Sequence, residues 1–533
     1  MSTDNLSVAA IPAPRAQINP WLVAPVVAMA AFMEVLDISI ANVALQHIAG
    51  SLAASVDEST WVLTSYTVTN VIVVPISGWL SSVMGRKRYF LASIAGFTVS
   101  SMLCGLAPTL GILVLFRALQ GISGGGLQPA SQAILSDAFP PAKRGVAFAM
   151  YGLAVVFAPA IGPTLGGWIT DHIGWRWVFL INIPVGVIVF TLVEALVQDP
   201  EYMVKARAER RRQGLRVDYI GFSLLAIGLA CMQFVLDRGQ QDDWFASHLI
   251  LILGSVSAIG LIAFVIWELN ERDPLVDLHL LRNRNFAIAN LQMLALGAVL
   301  LASIVLIPIY VQELLGYTAT DAGLVLTPGG LALVLFMPIM GQLVTKIDVR
   351  ALIGFGFLLA GLSMLYAVNF DTTTAYSTIM WNRVIFSISL AFLFIPINVA
   401  AYAGLPIEKS SNASALINMS RNLGSSIGIS LATAWLSRRA QYHQSLLVQQ
   451  VNNFNPNYHQ AVQGLSHLFA SVSQGASQAM AKANGAIYET IVQQANMLAF
   501  LDDFKALAIC ALALVPLAFL LKKASAAGPT ASH

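Results

Sequence analysis

The chain has 533 residues, of which 57% are hydrophobic and 11% charged, with a mean hydropathy of +0.72. A soluble domain carries roughly a quarter of charged residues, so this composition excludes an ordinary soluble protein and points to a polytopic membrane protein. The net charge of +2 gives no footing for a nucleic-acid partner, and Cys104, Cys231 and Cys510 lie in apolar stretches without metal-ligand spacing.

Residues 1–20 form a polar tail expected to be cytoplasmic. The first apolar run after it is too long for a signal peptide and carries Glu34 and Asp37, so it is retained as a span. Runs long enough to cross a bilayer follow at 21–43, 60–82, 89–107, 110–136, 144–169, 175–197, 218–236, 247–268, 286–311, 321–345, 350–370, 376–404, 411–437 and 498–521, fourteen in all. Loops that stay inside collect Lys and Arg. With Arg15 inside, the same side gathers Arg86, Lys87, Arg88, Lys143, Arg144, the basic run 201–216, Arg272, Lys346, Lys409, Lys522 and Lys523. Both termini are therefore expected in the cytoplasm.

The fifth run, 144–168, places Ala154, Ala158, Gly162 and Gly166 at every fourth position, a ridge along which another helix can approach closely. Pro159 and Pro163 each remove a backbone donor, so a bent helix buried among others is expected. The chain also repeats. At an offset of 266, Arg117, Pro140, Lys143, Gly162 and Leu165 fall on Arg383, Pro406, Lys409, Gly428 and Leu431, and at 263, Pro75, Gly78 and Leu80 fall on Pro338, Gly341 and Leu343. Two parallel six-span halves, 21–197 and 286–521, follow from this. A linker and two inserted helices lie between them at 198–285, and a substrate site is expected at the interface of the halves.

Here the residues carry a family likeness. GWLSSVMGRKR (78–88) resembles motif A of the major facilitator superfamily, LVLFRALQGISGG (113–125) its motif B and GLAVVFAPAIGPTLGG (152–167) the antiporter motif C. LDISIANVAL (36–45), WRWVFLINIPVG (175–186), LDRGQQDDWF (236–245) and PLVDLHLLRNRNF (274–286) resemble the EmrB-type exporters of the fourteen-span drug:proton antiporter family over essentially the whole chain. The resemblance implies proton-driven efflux of varied toxic compounds across a bacterial inner membrane, with a periplasmic membrane-fusion adaptor and an outer-membrane channel as partners. It marks Gly78, Gly85, Arg86, Lys87, Gly162, Pro163, Gly166 and Gly167 as conformational gating residues. Ser82 stands where motif A usually has an acidic residue, which leaves the partners of Arg86 and Lys87 open.

A charge in the hydrocarbon costs ~2.5 kcal/mol or more even on lenient insertion scales, so each intramembrane charge is a functional candidate. Counted along their helices, Asp37 and Arg117 lie at nearly one depth and can pair. Glu34 is one turn from Asp37 on the same face, and two carboxylates at one site titrate as a pair. Asp37, Glu34 and Arg117 are therefore the proton-coupling candidates. Arg117, Gln120, Gly121, Gly124 and Gln128 share one stripe of span four. Gln120 and Gln128, with Asn418, Arg421 and Asn422 of span thirteen, are the candidate substrate contacts. Arg117, Arg383 and Arg421 are three fixed cations against two titratable acids, so weakly acidic amphiphiles are expected to be favoured over permanent cations.

The remaining stretches say less. The basic run 201–216 reads as a positive-inside loop that can also meet anionic headgroups. The stretch 438–496 is expected as a long periplasmic loop, either a docking surface for the adaptor or a solvated hairpin. No histidine cluster, phosphate loop or hydrolase motif occurs, so no cofactor, metal or enzyme activity is expected. The expectation is an all-α membrane protein of the major facilitator fold with fourteen transmembrane helices, exporting small-molecule drugs in exchange for protons. A dedicated exporter of one metabolite and a non-transporting sensor remain as alternatives.

Overall fold

An apolar run has no water with which to satisfy its backbone, so helix is the conformation that closes its own hydrogen bonds. The computed structural model describes residues 19–213, 218–452, 454–471 and 475–522, and every element among them is helical. The tails, with Arg15 and Lys523, and Arg216 of the basic run lie outside the described residues.

The first set comprises α1 (Pro20–Val43), α2 (Trp61–Met84), α3 (Arg86–Leu106), α4 (Leu110–Gly124, resuming at Leu127–Ala138), α5 (Arg144–His172) and α6 (Asn182–Leu196). A linker helix, Glu201–Gln213, leads to α7 (Tyr219–Arg238) and α8 (His248–Asn270). The second set comprises α9 (Arg284–Glu313), α10 (Ala319–Leu343), α11 (Val349–Ala367), α12 (Tyr376–Tyr402), α13 (Ser410–Val448) and α14 (Ala476–Ala513).

Among the described residues, eleven helices are long and apolar enough to cross a membrane, or twelve when the pair Pro141–Pro159 and Ile161–His172 is taken as one span bent by 47°. The bend falls where Pro159 and Pro163 interrupt the hydrogen-bond ladder. The count of fourteen is not reached by this measure, because the long helices α13 and α14 are not among those that pass. α13 carries Arg421, Arg438 and Arg439, and the first half of α14 is rich in Gln, Asn and Lys. The loop expected over 438–496 is corrected as well. α13 continues to Val448, Pro456–Ala470 is a further helix, and α14 starts at Ala476. Ala and Gln are good helix formers, and in Pro456–Ala470 the residues Tyr458, Val462, Leu465 and Phe469 fall on one face, with Val462 buried.

Packing repeats at an offset of eight helices. α1 packs on α5 and α2 on α4, as α9 packs on α13 and α10 on α12; α3 on α6 corresponds to α11 on α14. Contacts between the sets follow the same rule, α2 on α13 and α5 on α10, while α7 and α8 pair with each other and α7 leans on α2. Glycines set these approaches. A Cβ at Gly162 would meet Ser39 of α1, and one at Gly166 would lie 3.0 Å from Ile40 Cγ2. At Gly428, 266 residues beyond Gly162, a Cβ would run into the backbone of Ala298 on α9. The small-residue ridge is thus the surface on which each set's fifth helix docks on its first.

Candidate transport site

Span one brings two carboxylates into the interior, and the structure gives them different company. Asp37 is sealed against Arg117, with Arg117 Nη1 2.6 Å from Asp37 Oδ2 and both side chains fully buried. Gln120 Nε2 donates to Asp37 Oδ1 at 3.0 Å and Asn182 Nδ2 to the same oxygen at 2.7 Å. Arg117 also donates to the Val62 carbonyl at 3.1 Å and to Gln120 Oε1 at 2.7 Å, and its guanidinium lies 4.3 Å from the Tyr66 ring centroid. A buried charge is tolerable when it is paired and its remaining hydrogen bonds are met, and this centre meets nearly all of them. Gln120, expected to contact substrate, is fully engaged here.

Glu34 is also buried but lies outside that network. Its Oε1 accepts from Asn70 Nδ2 at 3.1 Å, and its Oε2 has no hydrogen-bond partner. Asn70 and Tyr66 stand between the two carboxylates, their Nδ2 and hydroxyl 3.5 Å apart. The two acids therefore occupy adjoining environments rather than one.

The remaining candidates lie on the seam between the sets. Arg421 of α13 donates to Gln128 of α4 and, at 3.3 Å, to its neighbour Asn422 Oδ1. Asn418 Nδ2 donates to Gln132 Oε1 at 2.6 Å, Tyr151 of α5 donates to Asn418 Oδ1 at 3.3 Å, and Gln132 bonds Asn398 of α12. Ser414 Oγ reaches the Pro129 carbonyl at 2.6 Å. These bonds join the second half of α4 to α12 and α13, so the seam is closed by polar side chains at this level.

A second closure lies at the basic end of the molecule. Gly85, with φ +92°, turns the chain between α2 and α3, a conformation that favours glycine. The turn directs Arg86 inward, where it pairs with Asp137 of its own set and donates to Ser411 Oγ at 2.8 Å and Ser410 Oγ at 3.2 Å on α13. Burial holds the Tyr202 hydroxyl above its ordinary pKa range, with Arg86 opposing. It therefore stays protonated and donates to Asp137 Oδ2 at 2.6 Å. Lys87 N–H donates to Asp199 Oδ1 at 2.7 Å. A Cβ at Gly78 would lie 3.1 Å from the Ser411 carbonyl and 3.0 Å from Asn412 Cα, so α2 and α13 touch here almost backbone to backbone.

Among known proteins, the family model described as Major Facilitator Superfamily matches residues 27–429. The chain is 38% identical over 467 residues to the Multidrug export protein EmrB of Escherichia coli strain K12, covering 87% of this chain and 88% of the other. It is 35% identical over 494 residues to the Fatty acid resistance protein FarB of Neisseria gonorrhoeae, covering 93% and 94%. The chain belongs to the EmrB-type exporters of the major facilitator superfamily. The solved structure of the human organic anion transporter MFSD10 aligns over 92% of this chain and 99% of that one, with a TM-score of 0.55 at 13% identity, which shows the fold alone.

In this exporter the motif A arginine has a carboxylate partner even though residue 82 is a serine. The acid is Asp137, at the end of α4, and the Ser82 hydroxyl donates back to the Trp79 carbonyl at 2.7 Å. Sequence reasoning also missed Asn182, Tyr66, Asn70 and Gln132, and Ser101, whose hydroxyl accepts from Asn182 Nδ2 at 3.0 Å. The signal available for Asn182 and Asn70 was an amide inside an apolar run, the kind that is most often interhelical glue.

Proposed function

We propose that the protein is a proton-coupled antiporter that exports structurally varied amphipathic toxic compounds, including drugs, uncouplers and fatty acids, from the cytoplasm or inner membrane. Asp37, Glu34 and Arg117 carry the proton coupling. Gln120, Gln128, Asn418, Arg421 and Asn422 contact substrate or release it as the seam opens. The halves 21–197 and 286–521 rock about the contact of Gly78 with α13, while Gly162, Pro163, Gly166 and Gly167 gate the movement of α5 along α1 within the first half and Gly85, Arg86 and Lys87 close the cytoplasmic side. In this reading α13 and α14 complete fourteen spans and both termini are cytoplasmic. A periplasmic adaptor and an outer-membrane channel extend the pathway. The relatives named for multidrug export and fatty acid resistance support the substrate range.

The observation that carries this reading is the pair of buried carboxylates one turn apart on α1, one neutralised by Arg117 and the other with an unpartnered oxygen. A proton on Glu34 would remove an incompletely solvated charge, and its release would restore one, so occupancy of this acid biases which arrangement of the halves is stable. Each charge crossing 100 mV yields ~2.3 kcal/mol, enough to drive uphill export. The test is substrate-driven proton release from proteoliposomes holding the purified chain. Substrate binding without proton release would make the protein a sensor and overturn the antiport reading.

A further inference from the structure

We infer that the closed chamber around Arg383 is a binding subsite for the carboxylate headgroup of an exported amphiphile, whose hydrocarbon tail lies along the chamber's apolar wall. The inference rests on the export reading and names a substrate class and a place for it.

Arg383 of α12 is 4% exposed, so its guanidinium is cut off from bulk water. Its Nη1 donates to Ser303 Oγ of α9 at 3.0 Å, and its Cζ lies 4.8 Å from the Phe386 ring centroid. Among the described residues no carboxylate pairs with it. One hydroxyl and one ring cannot replace the hydration of a permanent cation. The other buried arginines are better provided for, Arg86 by Asp137, Arg117 by Asp37 and Arg421 by the amide oxygens of Gln128 and Asn422. Arg383, with one hydroxyl, has the fewest acceptors of the four.

The side chain lines a small enclosed space with Ser387, and the rest of the wall is aliphatic: Val156, Leu300, Ile304, Leu326, Leu333 and Leu390. In this conformation the space holds about one water-sized body, less than a carboxylate needs, so the subsite admits a headgroup only as the halves part. Val156 belongs to α5 of the first set and the others to the second, so the chamber lies on the α5–α10 seam. Separation of the halves there enlarges it between aliphatic walls. A planar carboxylate matches the guanidinium fork in two parallel charge-assisted bonds, and an apolar pocket with one convergent polar group is the usual form of a small-molecule site.

Decanoate and decanol, equal in chain length and differing in charge, are the probes, with full-length protein in nanodiscs and equilibrium binding as the readout. The native protein should prefer decanoate by about tenfold, the scale of one charge-assisted pair. Arg383→Gln should abolish the preference and Arg383→Lys keep part of it. Ser303→Asp leaves the arginine in place but supplies the missing countercharge from within the chain, so it should also abolish the preference. Equal binding of the two probes to the native protein, or a preference that survives both Arg383→Gln and Ser303→Asp, would overturn the subsite. A chloride requirement for transport that disappears in Arg383→Gln while the decanoate preference persists would assign the residue to an inorganic anion, which overturns it equally. Failure of the export reading is seen separately, as absence of proton release driven by a neutral substrate.

Discussion

Arg117 and Arg383 are related by the repeat offset of 266, and each reaches from the fourth helix of its set to the first. There the likeness ends. Arg117 meets a carboxylate, Asp37, with Gln120 and Asn182 completing the centre, whereas Arg383 meets the hydroxyl of Ser303. Duplication preserved the helix contacts and the cation but not its counterion. The Arg117–Asp37 centre is electrically complete inside the protein and can change state only when a proton or another charge enters. The second lacks an anion, which a ligand can bring. The seams diverge in the same manner. Gly78 against Ser411 and Asn412 is matched, 263 and 266 residues away, by Gly341 against Gly145 and Val146. Only the first of these seams has the Arg86 cluster across it. Arg144, near the second, donates to the Ser136 and Phe139 carbonyls of its own set.

The largest effect is expected from making the first centre resemble the second. Asp37→Asn leaves Arg117 with a neutral acceptor in a fully buried site, and removing one partner of a buried pair costs about 3–5 kcal/mol. Proton-coupled efflux should be lost while some folded protein remains in the membrane. The measurements are resistance in cells, immunoblot of the membrane fraction and proton release from vesicles. Full resistance in cells expressing Asp37→Asn would remove this carboxylate from the coupling and erase the contrast between the halves.

Next come the two docking ridges. A Cβ at Gly428 strikes the Ala298 backbone, which cannot move independently of α9, whereas at Gly162 it strikes the Ser39 side chain. Overpacking of this kind costs typically ~1–3 kcal/mol, with Gly428→Ala toward the upper end and Gly162→Ala toward the lower. Gly162→Leu and Gly166→Leu should in addition slow exchange between conformations, read by paired cysteine crosslinking. Equal melting temperatures for Gly428→Ala and Gly162→Ala would show that side-chain and backbone contacts restrain the two ridges alike.

The third test concerns the latch. Arg86→Gln removes the guanidinium that joins Asp137 to Ser411 while leaving the direct bond from Ser410 Oγ to Asp137 Oδ1, 2.9 Å long, and the glycine contact at Gly78. A cysteine placed at Ser414, which is buried on the seam, should then be labelled by a membrane-impermeant reagent from the basic end about tenfold faster, as expected for a shift of ~1.4 kcal/mol. The same change at Arg144, which makes no bond across its seam, should alter labelling little. Unchanged labelling in Arg86→Gln would mean that glycine packing and the Ser410–Asp137 bond hold the end shut without the arginine.

Much of this could be read before any coordinates. A carboxylate or an arginine in an apolar run stands out at once, so Asp37, Glu34, Arg117 and Arg421 were identifiable singly, and helical counting put the first pair at one depth. Glycines at every fourth residue marked the ridge on which α5 meets α1. Neutral partners were not legible, because Ser303 or Asn182 in a hydrophobic helix carries no more signal than any other small polar residue. Asp137 was missed for another reason. It lies 51 residues from Arg86 and reaches it only because α4 ends beside the α2–α3 turn. The stretch 438–496 was read as a loop because its helical periodicity is weak and its aliphatic content low, Tyr458, Val462, Leu465 and Phe469 being the exception.

The smallest expected effect comes from the ring that both centres share. The Arg117 guanidinium lies 4.3 Å from the centroid of Tyr66, and that of Arg383 lies 4.8 Å from that of Phe386, so the ring of the second centre carries no hydroxyl. The Tyr66 oxygen accepts from Asn70 at 3.5 Å, at the long limit of a hydrogen bond. Tyr66→Phe keeps the π-face over the cation and should leave efflux within about twofold of the native level, the scale of one weak hydrogen bond. Tyr66→Leu removes the face, and a desolvated cation–π contact is worth ~2 kcal/mol, so about a thirtyfold loss is expected. Asn70 also donates to Glu34 Oε1 at 3.1 Å, and the hydroxyl is the single atom through which the Arg117 centre approaches that second acid. If Tyr66→Phe cost as much as Tyr66→Leu in side-by-side efflux assays, the hydroxyl would be passing information between the two carboxylates. The first centre would then differ from the second in its wiring as well as in its charge.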